Sequence, residues 1–487
     1  MQPLEADLAR FFDARATPAY MVGGAVRDRL LGRPIHDYDI VVADNALAIG
    51  RHLADVVGGA YLTLDDEQPT ARILLSDDQI DVAQWRGDSL AADLALRDFT
   101  VNAMAVPLAE WAADEPTVLD PMDGRGDLAA RLLRATSESA FRHDPARLLR
   151  APRLAAQLGS RLEGATEAWL RRDAPLLPLV SPERVRDELW RCLMLPGASD
   201  ITRRLDDLGL LPAVLPEVSD LKGVTQRPPH TLDVYGHSLA ALTQMEAILG
   251  ALDVGGAAGE AVVGEAAAPY REELRAHLLE APVVGRPRWS LLKLVALLHD
   301  IGKPATRTET DGLVHFYRHE YVGEEMIGKT ARRLRLSSRE TAWLQRVVRN
   351  HLRPLFLSQQ ATPSHRALYR FFRDLGDAAP DALLLSIADN RAKGPSAETP
   401  NAARGDEPVL DFAASAMQML YADETPPVVA PPPLVTGRDL MRALTLPPGP
   451  QIGELLETVR EAAAAGEVTT RDEALDLARR LAGRGDA

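Results

Sequence analysis

The sequence is poor in the features that mark membrane proteins or proteins of oxidising compartments. Its single cysteine, Cys192, excludes an internal disulfide framework and favours a reducing cytoplasm. The longest apolar run, residues 291–298, is interrupted by Lys293 and is too short to span a bilayer. Residues 1–15 carry acidic side chains and lack the basic start of an export signal. We therefore expect a cytoplasmic protein with no membrane partner.

Basic residues are also in deficit. Lys and Arg number 55 against 70 Asp and Glu, which leaves a net charge of −15. This weakens the case for a nucleic-acid partner, because phosphate contacts need cationic side chains. Local distribution matters more than the total, and arginines cluster within 142–153, 184–191 and 332–335. Such clusters fit either a phosphate-binding face or an ordinary ion-paired helix surface.

The length of 487 residues indicates three or four domains. Short strand-like runs mix with helical segments up to about residue 135, and helical periodicity dominates afterwards. A low-complexity tract at 253–269 and proline-rich breaks at 394–408 and 424–433 interrupt the helical part. The pattern predicts a small α/β head followed by an elongated helical body.

The most informative stretch begins with Gly23 and Gly24, continues to Arg27, and ends with Asp37 and Asp39. The flanking residues predict a strand, a turn, a helix and a second strand. Side chains two apart on a strand share a face, so the two aspartates would converge on one point, which suits Mg²⁺. The glycines allow close approach of a triphosphate, and Arg27 adds a forked donor. This layout is typical of two-metal nucleotidyl transfer.

Further candidates follow along the chain. Asp81 lies in an apolar strand and is either a third carboxylate or a strand-end cap. Arg97 and Asn102 suit a triphosphate or a ribose hydroxyl, and Asp98 would orient an arginine or bind the nucleotide. One further pair, Asp144 and Arg147, lies three residues apart on a predicted helix and either reads a base edge or forms an ordinary cap and ion pair. Arg150 lies three residues after Arg147, on the same face.

Five motifs, in order, resemble the class II tRNA nucleotidyltransferase and bacterial poly(A) polymerase family. They are GGxVRD with DxD at 23–39, an RRDFTxNA-like motif at 96–103, DPxxG at 120–124, the stretch 143–147 where the family usually has EDxxR, and the neck helix at 181–189. The resemblance implies an α+β fold with a small polymerase-β-like nucleotidyltransferase head, built from a mixed sheet with helices. It also implies a tRNA 3′ end as partner, CTP and ATP as substrates, and Mg²⁺ as cofactor.

By the same likeness, Asp37 and Asp39 bind the metal, Gly23, Gly24 and Arg27 hold the phosphates, and Asp144 and Arg147 pair with the base. Beside these residues we predict Asp81 as a third catalytic carboxylate. We also predict that Arg97, Asp98, Asn102 and Arg150 bind the nucleotide.

The chain departs from the family pattern at three points. Leu96 replaces the first arginine of RRD, and His143 replaces the usual glutamate. The segment between Asp81 and Leu96 is short, whereas members that add the full CCA carry a longer flexible loop there. This shortness resembles the CC-adding subgroup. Full CCA addition and CC-only addition both remain open, with poly(A) synthesis as a further alternative.

A second cluster, in the order H…HD…H…H…D, resembles the HD phosphohydrolase superfamily. Its members are His237, His299, Asp300, His319, His351 and Asp389. Imidazole and carboxylate suit Ni²⁺, Mn²⁺ or Fe²⁺, or Mg²⁺ with fewer imidazoles. The resemblance implies hydrolysis of a 2′,3′-cyclic phosphate or a phosphomonoester. His230 and His315 are expected to be structural.

These assignments predict four domains and leave one rival class. The predicted domains are a nucleotidyltransferase head at 1–140, a helical neck at 141–220, an HD domain at 221–395, and a linker with a helical tRNA-contact region at 396–487. The rival is an RNA-processing phosphohydrolase whose head only binds RNA. The sequence does not indicate an oligomeric state.

Overall fold

The computed structural model describes residues 3–15, 18–64, 69–255, 268–394, 407–422, 424 and 426–482. The chain divides into two compact units. The first comprises residues 1–181 and 207–210, and the second comprises 182–206 and 211–487. The low-complexity tract and the proline-rich break at 394–408 fall largely outside the described residues, whereas the break at 424–433 is described except for residue 425. The division at 181 lies inside the predicted neck, and the four predicted domain boundaries stay predictions.

The first unit is built on a six-stranded mixed sheet, as predicted for the head. Its strands are β1 (Ala19–Val22), β2 (Asp37–Val42), β3 (Ala60–Leu64), β4 (Thr70–Leu74), β5 (Gln79–Gln84) and β6 (Ala105–Pro107). The spatial order is β3-β4-β5-β2-β1-β6. The central pair β2 and β5 runs parallel, and the other neighbours run antiparallel.

Alternation along β2 decides which face of the sheet carries chemistry. Tyr38, Ile40 and Val42 are buried in the main core of the unit. Asp37 and Asp39 occupy the alternate positions and so point to the other face, where a smaller apolar cluster includes Val41. Burial of Tyr38, Ile40 and Val42 in the core fixes the orientation of β2, and therefore both carboxylates must point to the opposite face of the sheet.

Helices cover the sheet and continue the first unit. They span Pro3–Asp13, Gly24–Leu30, Ala46–Val57, Leu90–Ala95, Gly124–Ala129, Ala140–His143, Arg147–Leu158 and Gly164–Asp173, with 3-10 turns at Thr100–Asn102, Leu108–Glu110 and Ala174–Leu179. A short parallel pair joins β7 (Leu132–Leu133) to β8 (Arg161–Leu162). Gly124 packs so tightly that an added Cβ would lie 2.2 Å from the carbonyl oxygen of Thr100, and this contact positions the 3-10 turn beside the sheet.

The second unit is helical, as expected, with one hairpin inserted among its described residues. Its helices are Pro182–Met194, Ala198–Asp207, Leu211–Val214, Pro216–Ser219, Val234–Ala251, Arg271–Leu279, Arg288–Leu298, Lys303–Thr306, His319–Arg333, Ser338–Asn350, Arg353–Ser358, His365–Leu375, Ala379–Arg391, Glu407–Tyr421, Gly437–Leu444, Pro450–Ala464 and Arg471–Ala482. A 3-10 turn spans Ala268–Tyr270 and another spans Gly376–Ala378. The hairpin pairs β9 (Arg307–Thr310) with β10 (Leu313–Phe316).

The core of this unit surrounds the helix Arg288–Leu298, every residue of which is buried. Lys293, which breaks the apolar run in the sequence, is fully buried and donates to Glu246 Oε1 at 3.0 Å and to the carbonyl of Leu195 at 2.9 Å. A buried charge is tolerated because it is paired in this way. Among the described residues, no helix combines the length and the apolarity that crossing a membrane requires.

Candidate functional site

Three carboxylates meet on the face of the head sheet opposite the main core. Asp37 and Asp39 share a face of β2, as the sequence predicts. Asp81 occupies the register position of β5 directly beside Asp39. We call Asp37, Asp39 and Asp81 the carboxylate site. The parallel pairing of β2 and β5 brings Asp81 there from a distant part of the sequence.

The three members of the carboxylate site differ in their electrostatic surroundings. The pKa of Asp39 is raised to about 6, chiefly by burial and further by the negative charges of Asp81 and Asp37, although Arg97 lowers it. Asp81 instead accepts two hydrogen bonds from Arg72, at 2.8 and 2.6 Å. Oxygen donors with excess negative charge fit a hard divalent cation, and Asp37 and Asp39 are the better placed ligands because Asp81 is already paired.

Gly23 lies against the carboxylate site and has a backbone conformation that favours glycine, with φ +73°. A Cβ at this position would stand 2.9 Å from Asp39 Oδ2 and 3.2 Å from Arg97 Nη1. Arg97 is held from its other side by Asp93, which accepts from Nε at 3.2 Å and from Nη2 at 3.1 Å. The absence of a side chain at Gly23 thus allows the backbone to lie directly beside a carboxylate and a guanidinium.

A continuous polar network ties the glycine turn to the helix Arg147–Leu158. Arg27 Nη1 donates to Asn102 Oδ1 at 2.7 Å, and Asn102 Nδ2 donates to Asp98 Oδ1 at 3.0 Å. Arg150 Nη1 donates to Asp98 Oδ2 at 2.8 Å. Burial tends to raise the pKa of Asp98, but Arg150 and Asn102 lower it to about 2. The network keeps this carboxylate ionised and fixes four of the predicted nucleotide-binding residues.

Arg27 has partners beyond this network. Its Nε and Nη2 atoms donate to Asp28 at 2.9 and 2.7 Å. Gly24 lies beside the same guanidinium, 3.4 Å from Nη2 for an ideal Cβ. The structure therefore places Gly24 and Arg27 in the first turns of the helix Gly24–Leu30, and their contact with phosphates stays a prediction.

The pair Asp144 and Arg147 is close but is used differently from the simple sequence prediction. Arg147 Nε lies 3.9 Å from Asp144 Oδ2. The two terminal nitrogens of Arg147 donate to the carbonyls of Arg97, Ala140 and Leu96, at 3.1, 3.2 and 2.9 Å. Arg147 therefore fastens its helix to the segment that carries Arg97. Direct reading of a base by this pair stays a prediction.

Two residues of this region escaped the sequence analysis. Arg72 pairs with Asp81 from the opposite position of the antiparallel strand β4. Asp93 bridges Arg97 and Arg86, whose Nε atom lies 2.9 Å from Asp93 Oδ1. A signal was available for Arg72, because the turn at 75–78 between two strand-like runs predicts a hairpin that brings residues 72 and 81 face to face. Asp93 offered no comparable signal.

The second unit gathers all six predicted metal-ligating residues, which we call the histidine site. They are His237, His299, Asp300, His319, His351 and Asp389, and all are buried. His319 Nε2 lies 3.2 Å from Asp300 Oδ1 and 3.3 Å from His351 Nε2. The ligand atoms form overlapping groups, each within 4.8 Å, that share His237 and Asp300. This geometry suits one or two metal ions.

Hydrogen bonds on the far side of each imidazole orient the histidine site. The Nδ1 atoms lie close to backbone carbonyls: His299 to Ala296 at 2.9 Å, His319 to Phe316 at 2.9 Å, His351 to Val348 at 2.6 Å and His237 to Ala392 at 3.4 Å. A carbonyl accepts only, so each Nδ1 carries the proton and each Nε2 faces the cluster as a lone-pair donor. The donor set therefore fits a transition metal.

Electrostatics favour ionised carboxylates in the histidine site. Burial tends to raise the pKa of Asp300, but His299 and Lys303 lower it well below its ordinary value. Burial and the neighbouring imidazoles His319 and His299 lower the pKa of His351 to about 3, which keeps it neutral. Neutral imidazole and anionic carboxylate are the forms that bind a cation.

A cavity of about 1550 Å³ opens onto the histidine site. Lys303 lines it and donates to Asp300 Oδ2 at 2.5 Å and to Gln226 Oε1 at 2.7 Å. His230, which the sequence analysis set aside as structural, lines the same cavity and groups with His237 and Asp389. His315 lines it as well. As histidines, His230 and His315 were candidates for this site from the sequence. They were set aside because they are not part of the H…HD…H…H…D pattern.

Comparison with known families matches four segments of the chain. The matching families are described as Poly A polymerase head domain at residues 19–134, probable RNA and SrmB-binding site of polymerase A at 160–222, HD domain at 234–393, and tRNA nucleotidyltransferase domain 2 (putative) at 341–478. The first match contains the carboxylate site, and the HD match contains the histidine site.

Whole-length relatives cover almost the entire chain. An A-adding tRNA nucleotidyltransferase of Deinococcus radiodurans is 34% identical over 95% of both chains. A CC-adding tRNA nucleotidyltransferase of Geobacter sulfurreducens is 33% identical over 94% of this chain and 90% of its own. A solved CCA-adding enzyme in an apo form shares the fold, with a TM-score of 0.60 at 21% identity, covering 98% of this chain and 93% of that one.

Proposed function

The chain belongs to the tRNA nucleotidyltransferase family, and we propose that it adds cytidine from CTP to the 3′ end of tRNA at the carboxylate site. The observation that carries the proposal is the juxtaposition of Asp37 and Asp39 with the open backbone at Gly23 and the guanidinium of Arg97. In the reaction, the RNA 3′-hydroxyl attacks the α-phosphorus and pyrophosphate leaves. A cytoplasmic location remains a prediction.

The residues of the site divide the work. Asp37 and Asp39 would hold Mg²⁺, which would neutralise negative charge on the attacking oxygen and the leaving group. Arg97, held by Asp93, directs a positive charge at the space beside Gly23 and orients the triphosphate. The ionised Asp98 fixes Arg150 and Asn102 around the sugar and base side of the nucleotide.

Selection of cytidine is supported by the short connection between β5 and the helix Leu90–Ala95. Residues 85–89 alone bridge these elements. Arg86 in this connection donates to Asp93, and Asp93 also holds Arg97. Arg147, at the start of the helix Arg147–Leu158, donates to the carbonyl of Leu96, next to Arg97. The site thus lacks the long loop that the family resemblance associates with a switch from CTP to ATP. The CC-adding relative in Geobacter supports the same specificity.

A second candidate specificity is addition of the terminal adenosine alone, which the A-adding relative in Deinococcus favours. One experiment separates these outcomes. Purified full-length protein is incubated with tRNAs ending at the discriminator base, at C and at CC, with CTP and ATP supplied separately, and the ends are sequenced. We expect CTP to extend the first two tRNAs and ATP to extend none. Extension of the CC-ending tRNA by ATP alone would establish A addition, and long A tails would establish poly(A) synthesis.

The metal assignment has its own test. The double variant Asp37→Ala, Asp39→Ala should lose nucleotide addition with all three tRNAs while its tRNA affinity changes little. A double variant that still extends tRNA with CTP refutes the assignment. Loss of addition also argues against the rival in which the head only binds RNA, since a binding head would have no addition to lose.

We further propose that the histidine site is a metal-dependent phosphohydrolase acting on a 2′,3′-cyclic phosphate or a phosphomonoester. His237, His299, Asp300, His319, His351 and Asp389 would hold Ni²⁺, Mn²⁺ or Fe²⁺, or Mg²⁺, and a bound ion would lower the pKa of water so that it can act as the nucleophile at neutral pH. Lys303 places a cation in the cavity beside these ligands, where it would bind a phosphate oxygen. On hydrolysis of a cyclic ester, water adds to phosphorus, one P–O bond to ribose breaks, and the released oxygen takes a proton.

The measurement is metal content by mass spectrometry together with hydrolysis of a nucleoside 2′,3′-cyclic phosphate. Wild-type protein should bind metal and hydrolyse the ester. Asp300→Ala should lose both properties and keep nucleotide addition. Hydrolysis that persists in this variant refutes the histidine site as its source.

A further inference from the structure

The cavity above the histidine site carries aromatic side chains that metal binding does not use. His315, Phe316, Tyr317 and Phe356 line it together with the metal ligands. At about 1550 Å³ the cavity is far larger than a phosphate group needs, and it falls above the usual size range of small-molecule sites. A substrate with more than a phosphate is therefore accommodated.

Two of these rings form a parallel stack at the mouth of the cavity. The ring centroids of His315 and Tyr317 are 5.0 Å apart, and the ring planes differ by 9°. Tyr317 is 68% exposed and Phe356 is 55% exposed. Exposing such large apolar rings costs free energy, so a pair of them beside a buried polar cluster calls for a flat apolar partner.

The backbone ties this stack to the histidine site. His315 lies on the hairpin, whose turn at Asp311 and Gly312 has positive φ at both residues, as a tight two-residue turn requires. Phe316 accepts the Nδ1 proton of His319 through its carbonyl, and its ring centroid lies 5.6 Å from Lys303 Nζ. Phe316, whose carbonyl orients the proposed ligand His319, thus lies between His315 and Tyr317 in the sequence.

We infer that His315, Tyr317 and Phe356 form a stacking platform that binds the nucleobase of the substrate of the histidine site. The inference rests on the proposed phosphohydrolase. Lys303 and Arg318 line the same cavity and suit the phosphate, and the amide of Gln226 suits a base or ribose edge. Stacking of a base on an aromatic side chain contributes about 1–3 kcal/mol regardless of base identity. The nucleotide is either free or the terminal residue of an RNA.

The test compares substrates that differ only in the base. Metal-loaded full-length protein hydrolyses cytidine 2′,3′-cyclic phosphate, an RNA oligonucleotide ending in a 2′,3′-cyclic phosphate, and glycerol 1,2-cyclic phosphate, which has no base. We expect Tyr317→Leu to raise KM for both base-bearing substrates by roughly 5- to 150-fold, with kcat and the base-free substrate unchanged. Whichever of the two base-bearing substrates has the lower KM shows whether the site binds a free nucleotide or the end of an RNA.

Two control variants keep the result specific. Tyr317→Phe retains the ring and should behave as wild type. Tyr270→Leu removes another partly exposed tyrosine, whose ring centroid lies 5.5 Å from that of Tyr421 and which lies outside the cavity lining, and it should also behave as wild type. An equal KM change for all three substrates, or no change in Tyr317→Leu, overturns the platform.

Binding without turnover separates this inference from the phosphohydrolase proposal. Calorimetry measures the affinity of cytidine 3′-monophosphate and of glycerol phosphate for wild type, Tyr317→Leu and Tyr270→Leu. A preference for the nucleotide that Tyr317→Leu alone removes supports the platform even if no ester is hydrolysed, in which case only the hydrolase proposal fails. Equal affinities in all three proteins refute the platform.

Discussion

Gly23 offers the sharpest test of the carboxylate site. Its φ of +73° and ψ of −139° lie in a region that side chains with a Cβ rarely adopt, so Gly23→Ala should destabilise the first unit by about 1–3 kcal/mol. The added Cβ would also stand 2.9 Å from Asp39 Oδ2, whereas ordinary contacts begin at 3.4 Å. The Asp39 carboxylate must therefore retreat by about 0.5 Å, and a displacement of this size in a catalytic site lowers kcat/KM by about tenfold.

The matched control is Gly32→Ala. Gly32 also has a positive φ, +64°, but no atom lies within 4 Å of its ideal Cβ, so it reports backbone strain without the contact to Asp39. Both variants are assayed for kcat/KM of CTP addition to tRNA and for thermal unfolding, with hydrolysis at the histidine site as a check on folding elsewhere. Comparable kcat/KM values for the two variants would refute the argued position of Asp39 beside Gly23.

Three further predictions concern charge and packing. The pKa of Asp98 is about 2, below its ordinary value of 3.8, so ionised Asp98 adds about 2 kcal/mol to the free energy of unfolding. This contribution is present above pH 4 and is lost as the pH falls towards 2. In acid unfolding, Asp98→Asn should therefore be less stable than wild type at pH 7 and equally stable near pH 2. His299→Ala should abolish metal binding and ester hydrolysis, measured by mass spectrometry and product release, and spare nucleotide addition. Gly302→Ala would place a Cβ 2.1 Å from the carbonyl oxygen of His319, and we expect its metal content to fall while tRNA extension persists.

Local patterns in the sequence predicted the head well. The glycine turn, the helix after it and the two aspartates on β2 follow from short-range rules of alternation and turn chemistry. The partner of β2 did not follow from such rules, because β5 pairs with it in parallel across an intervening hairpin. For the same reason Asp81 could not be assigned from sequence. The structure places Asp81 beside Asp39, but both of its carboxylate oxygens accept hydrogen bonds from Arg72.

The histidine site shows the same division between residue identity and geometry. The order of histidines and aspartates was enough to name six candidates, and the structure brings all six together. The carbonyl partners of their Nδ1 atoms depend on where each helix ends, which sequence patterns locate only to within a few residues. The hairpin had a signal in Asp311 and Gly312, flanked by strand-like residues, that helical periodicity on both sides obscured.

The helix ends around the histidine site have a consequence for the durability of the protein. His299 follows the helix Arg288–Leu298, His351 follows Ser338–Asn350, and Asp389 lies near the end of Ala379–Arg391. A metal ion bound by these side chains would cross-link chain segments that are remote in sequence. A protein with one cysteine has no internal disulfide to do this. Chelation should therefore lower the melting temperature of the second unit as well as its activity, since an ion at 100 times its Kd adds about 2.7 kcal/mol.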